Sequence, residues 1–230
     1  MSHEKIAGVF DEWATNGRGE KMEAGHGDVV EQVIEKLNIR AGNQILDLGC
    51  GIGWATRILA QKGPGVQAIG IDAAPAMVKR AEELSPLTIR ARYEIGQFEN
   101  LDFKDGKFDL VFSMEALYYA TDLKKALAEI FRVIKAGGSA QIVMDNYVGR
   151  PTTEGWAEAV GLNMHHLAAQ DWILAFEKAG FANVRCELVV DRRGPDEDIE
   201  LKPGGAFKDM EAYRAFCNAG SLWVHAEKPS

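Results

Sequence analysis

The sequence predicts an α/β fold, a mostly parallel sheet wound on both faces by helices. Three observations carry that reading. Short apolar runs alternate along the chain with longer amphipathic stretches, which is how strand–helix–strand units read. The first such run opens into the glycine-broken segment Asp47-Leu48-Gly49-Cys50-Gly51-Ile52-Gly53, a strand-to-helix turn. A second run then ends on Asp72, twenty-five positions after Asp47.

In order, Gln44 to Leu48 reads as the first strand and Trp54 to Ala60 as the helix after the glycines. Gln67 to Asp72 is a second strand, and Pro75 to Leu84 a helix with proline suited to its first turn. Arg90 to Ile95 and Phe108 to Met114 are the third and fourth strands. A helix from Leu123 to Ile134 is expected to stop at Gly137-Gly138, ahead of a fifth strand from Ala140 to Asp145. Beyond Tyr147 come a loop, a short helix at Trp156 to Val160, a helix at Leu167 to Ala179 and a strand at Val184 to Asp191. Arg192 to Gly205 has no periodicity and reads as an exposed loop. Met210 to Asn218 is helical, and Ser221 to Glu227 closes the chain as a strand. The expected organisation is a helical cap over 1–40 and one domain over 41–230, with an insertion around 149–170.

The 230 residues suffice for one large α/β domain. Hydrophobic residues make up 47% and charged ones 26%, an ordinary globular composition. A formal charge of −8 argues against nucleic acid as a partner, since phosphate recognition needs a basic face. No stretch approaches the ~20 apolar residues of a membrane span, so no membrane partner is expected. Cys50, Cys186 and Cys217 are widely spaced and show neither zinc spacing nor a disulfide framework, so no metal is expected and the cytoplasm is the default location. Self-association into a homo-oligomer stays open.

The glycine segment permits unusual dihedrals and close approach of a ligand to the backbone, and the helix behind it offers free N–H groups. An acidic residue at the end of the second strand accepts hydrogen bonds from ribose hydroxyls. A nucleoside ligand follows from the two in register. A dinucleotide would require a third glycine where the sequence has Trp54 or Thr56, and Asp47 suits a cationic amino group better than a pyrophosphate. The residues therefore favour a nucleoside carrying an amino acid.

Ile45 to Gly53 resembles motif I of the class I, Rossmann-like methyltransferases, small-molecule branch. Ile69 to Asp72 with Pro75-Ala76-Met77, Phe108 to Ser113, and Arg132 to Gly138 are similar to that family's later motifs, and Trp172 to Phe181 to its later helix. The resemblance implies a seven-stranded doubly wound sheet with an antiparallel last strand, plus an amino-terminal helical extension. It implies S-adenosylmethionine as cofactor and methyl transfer to an oxygen, nitrogen or carbon nucleophile of a small molecule. By position, Gly49, Cys50, Gly51 and Gly53 would lie under the methionyl part, with Asp47 near its amino group. Asp72 would hold the ribose, and Ala73, Met77, Gln97 and Phe98 the adenine. Gln97 departs from the family's usual aspartate. Ser113 and Met114 would line the transfer channel. Phe10 to Ala14, with Trp13, resembles a short helix folding over the cofactor, and Arg18 could pair with its carboxylate.

Substrate-side candidates are Glu115, Tyr118 and Tyr119 after the fourth strand and Asp145, Asn146 and Tyr147 after the fifth. His165 and His166 are further candidates for a general base, because histidine titrates near neutrality. Two alternatives remain: an NAD-dependent oxidoreductase on the same architecture, and a non-catalytic cofactor-binding protein.

Overall fold

A computed structural model describes residues 2–201 and 205–230. Seven strands form one sheet in the order β3-β2-β1-β4-β5-β7-β6. β1 (Gln44–Leu48), β2 (Gln67–Asp72), β3 (Ala91–Ile95), β4 (Phe108–Met114) and β5 (Ile134–Met144) run parallel. β7 (Ser221–Glu227) inserts between β5 and β6 (Ala182–Val189) and is antiparallel to both. The expected mostly parallel sheet with an antiparallel last strand is therefore the observed one.

Successive strand residues point to opposite faces, and the core divides accordingly. On one face Leu46, Leu48 and Val111 pack with α5 (Leu123–Val133) and α7 (Ala169–Lys178), around Trp172 and Phe176. On the other, Ile45, Phe112 and Trp223 pack with α2 (Arg18–Lys36) and α3 (Trp54–Ala60). α5 shows why such helices form: Asp122 caps it by accepting the Lys125 N–H at 3.0 Å, and Ala126, Leu127, Ile130 and Val133 make one buried stripe. α4 (Pro75–Glu83) opens on proline, as expected.

Two expectations are corrected. Gly137-Gly138 do not end α5, because Ile134 already has extended backbone and begins β5. The glycines instead form an irregularity inside that strand, where the pairing with β4 shifts between Phe108 and Leu110. The Gly137 N–H donates to the Lys228 carbonyl and the Lys228 N–H to the Gly138 carbonyl, both at 2.9 Å, and a side chain at Gly138 would strike the Asp109 carbonyl. The amino-terminal helix is longer than Phe10 to Ala14: α1 spans His3–Thr15, the chain breaks at Asn16-Gly17, where Gly17 has positive φ, and α2 then runs from Arg18 through Gly19. Gly19 is needed there for closeness, since a Cβ would lie 2.7 Å from Ile52 Cγ2 in the turn after β1.

After β5 the chain forms α6 (Trp156–Val160), α7 and β6. Residues 192–201 and 205 form no helix or strand, and the rest of that expected loop, 202–204, lies outside the described residues. α8 (Met210–Ala219) leads into β7. Among the described residues no helix is long and apolar enough to cross a membrane.

Phe176 is fully buried against Trp172 and Phe181. Phe176→Ala is expected to cost about 3–5 kcal/mol in urea unfolding; a loss below about 1 kcal/mol would show that α7 does not clamp this face.

Candidate functional site

The strand order reverses between β1 and β4, and ligands bind α/β sheets in the crevice outside the carboxyl ends at such a point. A cavity of about 1240 Å³ occupies that place. Its floor is the turn after β1, Asp72 and Ala73 after β2, and Met114 to Ala116 after β4. α1 and α2 cover it with Phe10, Trp13, Arg18 and Met22, while α6, α8 and the loop between β6 and α8 wall its far end.

The turn after β1 is built for closeness. Gly49, Gly51 and Gly53 all have positive φ, which side chains other than glycine's rarely tolerate. A Cβ on Gly49 would collide with Ala116 and crowd the Phe98 ring, whereas Gly51 has only Met77 Sδ, at 4.0 Å, in range and leaves its backbone open to a ligand. The Gly49 and Cys50 N–H groups donate to the Ile71 carbonyl at 2.8 and 2.9 Å, fastening the turn to β2. Asp72 fastens it further, with one carboxylate oxygen accepting from the Gly51 N–H and the other from the Ala74 N–H, both at 2.9 Å. Burial pushes the Asp72 carboxyl up to about 6, against the pull of the Ala74 and Gly51 N–H groups. From α1, Asp11 accepts the Ala76 N–H at 2.8 Å, tying the cover to the start of α4.

Fifteen of the residues expected at the site line this cavity: Trp13, Arg18, Gly49, Cys50, Gly51, Asp72, Ala73, Met77, Gln97, Phe98, Met114, Glu115, Tyr118, Tyr119 and Asp145. Arg18 lies flat over Trp13, its guanidinium 3.7 Å from the ring centroid. Seven others are not in its walls, among them Asn146 and Tyr147. Asp47 is buried beneath the turn and accepts the Thr56 hydroxyl at 2.6 Å, and burial pushes its carboxyl up to about 7. Gly53 faces the Tyr93 ring, and the Ser113 hydroxyl donates to the Leu48 carbonyl at 2.8 Å. These three brace the turn from behind. His165 and His166 are also elsewhere: His165 Nε2 bonds the Ala120 carbonyl at 2.9 Å and His166 Nδ1 the Asn146 side chain at 2.7 Å. Both rings hold a connecting segment in place, which removes them as bases for chemistry in the cavity.

Beside the turn lies a buried charge network. His26, from α2, contacts Asp145 with Nε2 at 3.2 Å and the Met22 carbonyl with Nδ1 at 2.9 Å. Asp145 also takes the Arg150 guanidinium and the Ser221 hydroxyl, the latter at 2.5 Å. Glu115 accepts the Asp145 N–H with one oxygen and the Tyr118 hydroxyl, at 2.8 Å, with the other. Burial and the Asp145 charge push the Glu115 carboxyl up to about 7, with the His26 charge opposing them. Burial would raise Asp145 and lower His26, but their contact outweighs it in both: Asp145 is held well below the usual carboxylate range, and His26 is pushed up to about 9. His26, Glu115 and Asp145 bring ligand-type atoms within 4.8 Å of one another, as a metal site would. A protonated imidazole cannot ligate, however, and Arg150 already occupies Asp145, so the chemistry of the cluster is that of a compensated ion network.

His26, Arg150 and the wall residues Trp156, Tyr213 and Phe216 are the site residues that sequence reasoning missed. His26 meets Asp145 across 119 positions, a pairing with no local pattern. The histidine beside a glycine-rich helical stretch was the sole available signal.

Residues 46–142 match the family described as "Methyltransferase domain". That segment is similar to methyltransferase domains. The chain is 33% identical over 160 residues to 2-methyl-6-phytyl-1,4-hydroquinone methyltransferase of Synechocystis, covering 60% of this chain and 50% of that protein. It is 40% identical over 103 residues to the chloroplastic tocopherol O-methyltransferase of Arabidopsis thaliana, covering 44% and 29% respectively. The matches thus span half or less of those relatives' length. Among solved structures, a chain from the complex of a Haloferax volcanii methyltransferase with the Trm112 methyltransferase activator superposes with a TM-score of 0.84 at 28% identity, over 96% of this chain and 98% of that one. The matched segment contributes the turn, Asp72, Gln97 and Glu115, whereas His26 and the far walls come from outside it.

A raised histidine stabilises the fold fully below its unfolded value of 6.5, and the effect disappears as pH rises to about 9. The unliganded protein is therefore expected to lose about 3 kcal/mol from this group between pH 6.5 and 9. His26→Gln should flatten that part of the denaturation profile; an unchanged slope would show that the His26–Asp145 contact does not hold the proton.

Proposed function

We propose that the protein is an S-adenosylmethionine-dependent methyltransferase acting on a small-molecule oxygen, nitrogen or carbon nucleophile. The observation that carries this is the single cavity of about 1240 Å³ over the glycine turn. It exceeds the ~300–1,000 Å³ usual for one small ligand and so has room for donor and acceptor together. At the donor end, Asp72 takes the ribose hydroxyls; its buried carboxylate has no cationic side chain bonded to it and keeps lone pairs to offer. The open backbone at Gly51 admits the methionyl part, Phe98 and Met77 flank the adenine, and the Gln97 amide can bond its edge. Arg18 is placed to take the donor's carboxylate from above. Bound there, the donor supplies a methyl group on a positively charged sulfur.

The protein's own contribution is mainly placement. Methyl transfer is an in-line displacement that depends on holding the reacting atoms about 3–3.5 Å apart and aligned. α1 and α2, tied down by Asp11 and by the Gly19–Ile52 contact, exclude water over the reacting centre. The buried Trp54 stands where a dinucleotide fingerprint requires glycine, which disfavours the NAD reading. Cytoplasmic residence belongs to the same proposal and is supported by three free cysteine thiols.

Isothermal titration should show saturable binding of S-adenosylmethionine and S-adenosylhomocysteine but not of NAD. Asp72→Ala is expected to weaken S-adenosylhomocysteine at least tenfold without altering the circular dichroism spectrum. Absence of binding by either sulfur compound would overturn the assignment, and unchanged affinity in the variant would remove Asp72 from the ribose site.

A further inference from the structure

The cavity continues past the donor end into a chamber whose chemistry is distinct. Phe216 of α8 lies 5.8 Å from Trp156 of α6 and 5.1 Å from Phe207, ring centre to ring centre, and Phe207 lies 5.2 Å from Tyr213. At the base of these rings the Arg150 guanidinium stacks 3.8 Å from the Phe216 centroid. Arg150 in turn meets Asp145, whose neighbours are Glu115 and His26. One chain of contacts thus links the aromatic wall to a buried carboxylate.

Glu115 is set apart from an ordinary buried acid by its backbone. It is the first residue after β4 and has φ of 54°, a left-handed conformation that costs a side-chain-bearing residue energy and persists where surrounding structure enforces it. The Asp145 N–H and Tyr118 hydroxyl fix its two oxygens, each of which keeps a free lone pair. The groups facing it are His26 from α2, Asp145 from the end of β5, and Tyr118 and Tyr119 from the short 3-10 turn Leu117–Tyr119, with Arg150 reaching it through Asp145.

We propose that this chamber takes an uncharged, ring-bearing acceptor through a phenolic hydroxyl, and that Glu115 accepts the hydroxyl proton during methyl transfer. The proposal rests on the methyl-donor reading above and names its acceptor class and its base. The network already pairs the charges of His26 and Arg150 with Asp145, so a neutral acceptor adds no further charge to be buried beside it. With such a nucleophile, the proton passed to Glu115 offsets the positive charge lost from sulfur. The O–H bond breaks with its proton going to the Glu115 carboxylate, the oxygen forms the new bond to carbon, and the sulfur–carbon bond breaks with its electron pair left on sulfur. A carboxylate whose acid titrates near neutrality is a serviceable base for a phenol, whose pKa is about 10, and a poor one for an aliphatic hydroxyl, which is far less acidic. His26 and Asp145 are positioning residues, holding Glu115 and neutralising its surroundings.

The test uses the protein loaded with S-adenosylhomocysteine and titrated with 2-naphthol, naphthalene and 2-naphthoate at pH 6 and pH 8. The expected result is that 2-naphthol binds at least tenfold tighter than either other probe and at least fivefold tighter at pH 8 than at pH 6. Glu115→Gln should abolish the pH ratio, and Phe216→Ala should weaken naphthol and naphthalene alike by about tenfold while preserving it. Naphthalene equal to naphthol, naphthoate as the tightest probe, or a pH ratio retained in Glu115→Gln would each overturn the proposal; the first two need no variant. Titrating S-adenosylhomocysteine first separates the causes. Failure at that step overturns the donor reading, whereas donor binding without a naphthol preference overturns only the acceptor assignment.

Discussion

The fastening of the turn after β1 is the constraint on which the rest of the site depends. Five residues must leave the sheet and enter α3 without lifting away from β2, and they do so by donating two N–H groups to the Ile71 carbonyl and a third to Asp72. Asp72 is thereby oriented twice over, by Gly51 and by Ala74. The turn's closeness explains the residues packed on it: Ala116 because Gly49 leaves no room for more, Tyr93 against Gly53, and Gly19 in α2 because Ile52 rises to meet the helix. Asp47, Thr56 and Ser113 support it from below. A site that must place a ligand to within half an ångström needs such second contacts.

The second constraint is electrostatic. α2 carries His26 across the carboxyl edge of the sheet to Asp145, so the covering helix is latched to the end of β5 by an ion pair inside the cavity. The same contact leaves Glu115 as the one member of the network whose proton is loosely held near neutrality, because Asp145 is already committed to His26, Arg150 and Ser221. Cover and cavity are therefore joined by one network.

Much of this was legible in the sequence because it is local. β1, α3, β2, β4 and β7 have the residues expected from alternation and flanking turns, and Asp72 stands in register with the glycines. The misreadings came where local signals conflict with distant packing. Gly137-Gly138 resemble a helix terminus but serve a strand irregularity fixed by Lys228, at the far end of the chain. The glycines of α2 resemble breakers, yet Gly19 is there so that a helix can press on Ile52. Asp47 and Ser113 sit at site positions along the chain while their side chains turn to Thr56 and Leu48. His165 and His166 drew notice as titratable residues, whereas the histidines lining the cavity are His3 and His26, and the Asp145 partner of His26 is remote in sequence.

The central claim is that the glycine turn and Asp72 form the donor half of one cavity and Glu115 faces its acceptor half. A crystal structure with S-adenosylhomocysteine tests it most directly. Ribose hydroxyls on Asp72, the methionyl chain over Gly49 to Gly51 and the sulfur turned toward Glu115 are the expected arrangement. A ribose bound away from Asp72, or a sulfur pointing away from the aromatic chamber, would contradict it.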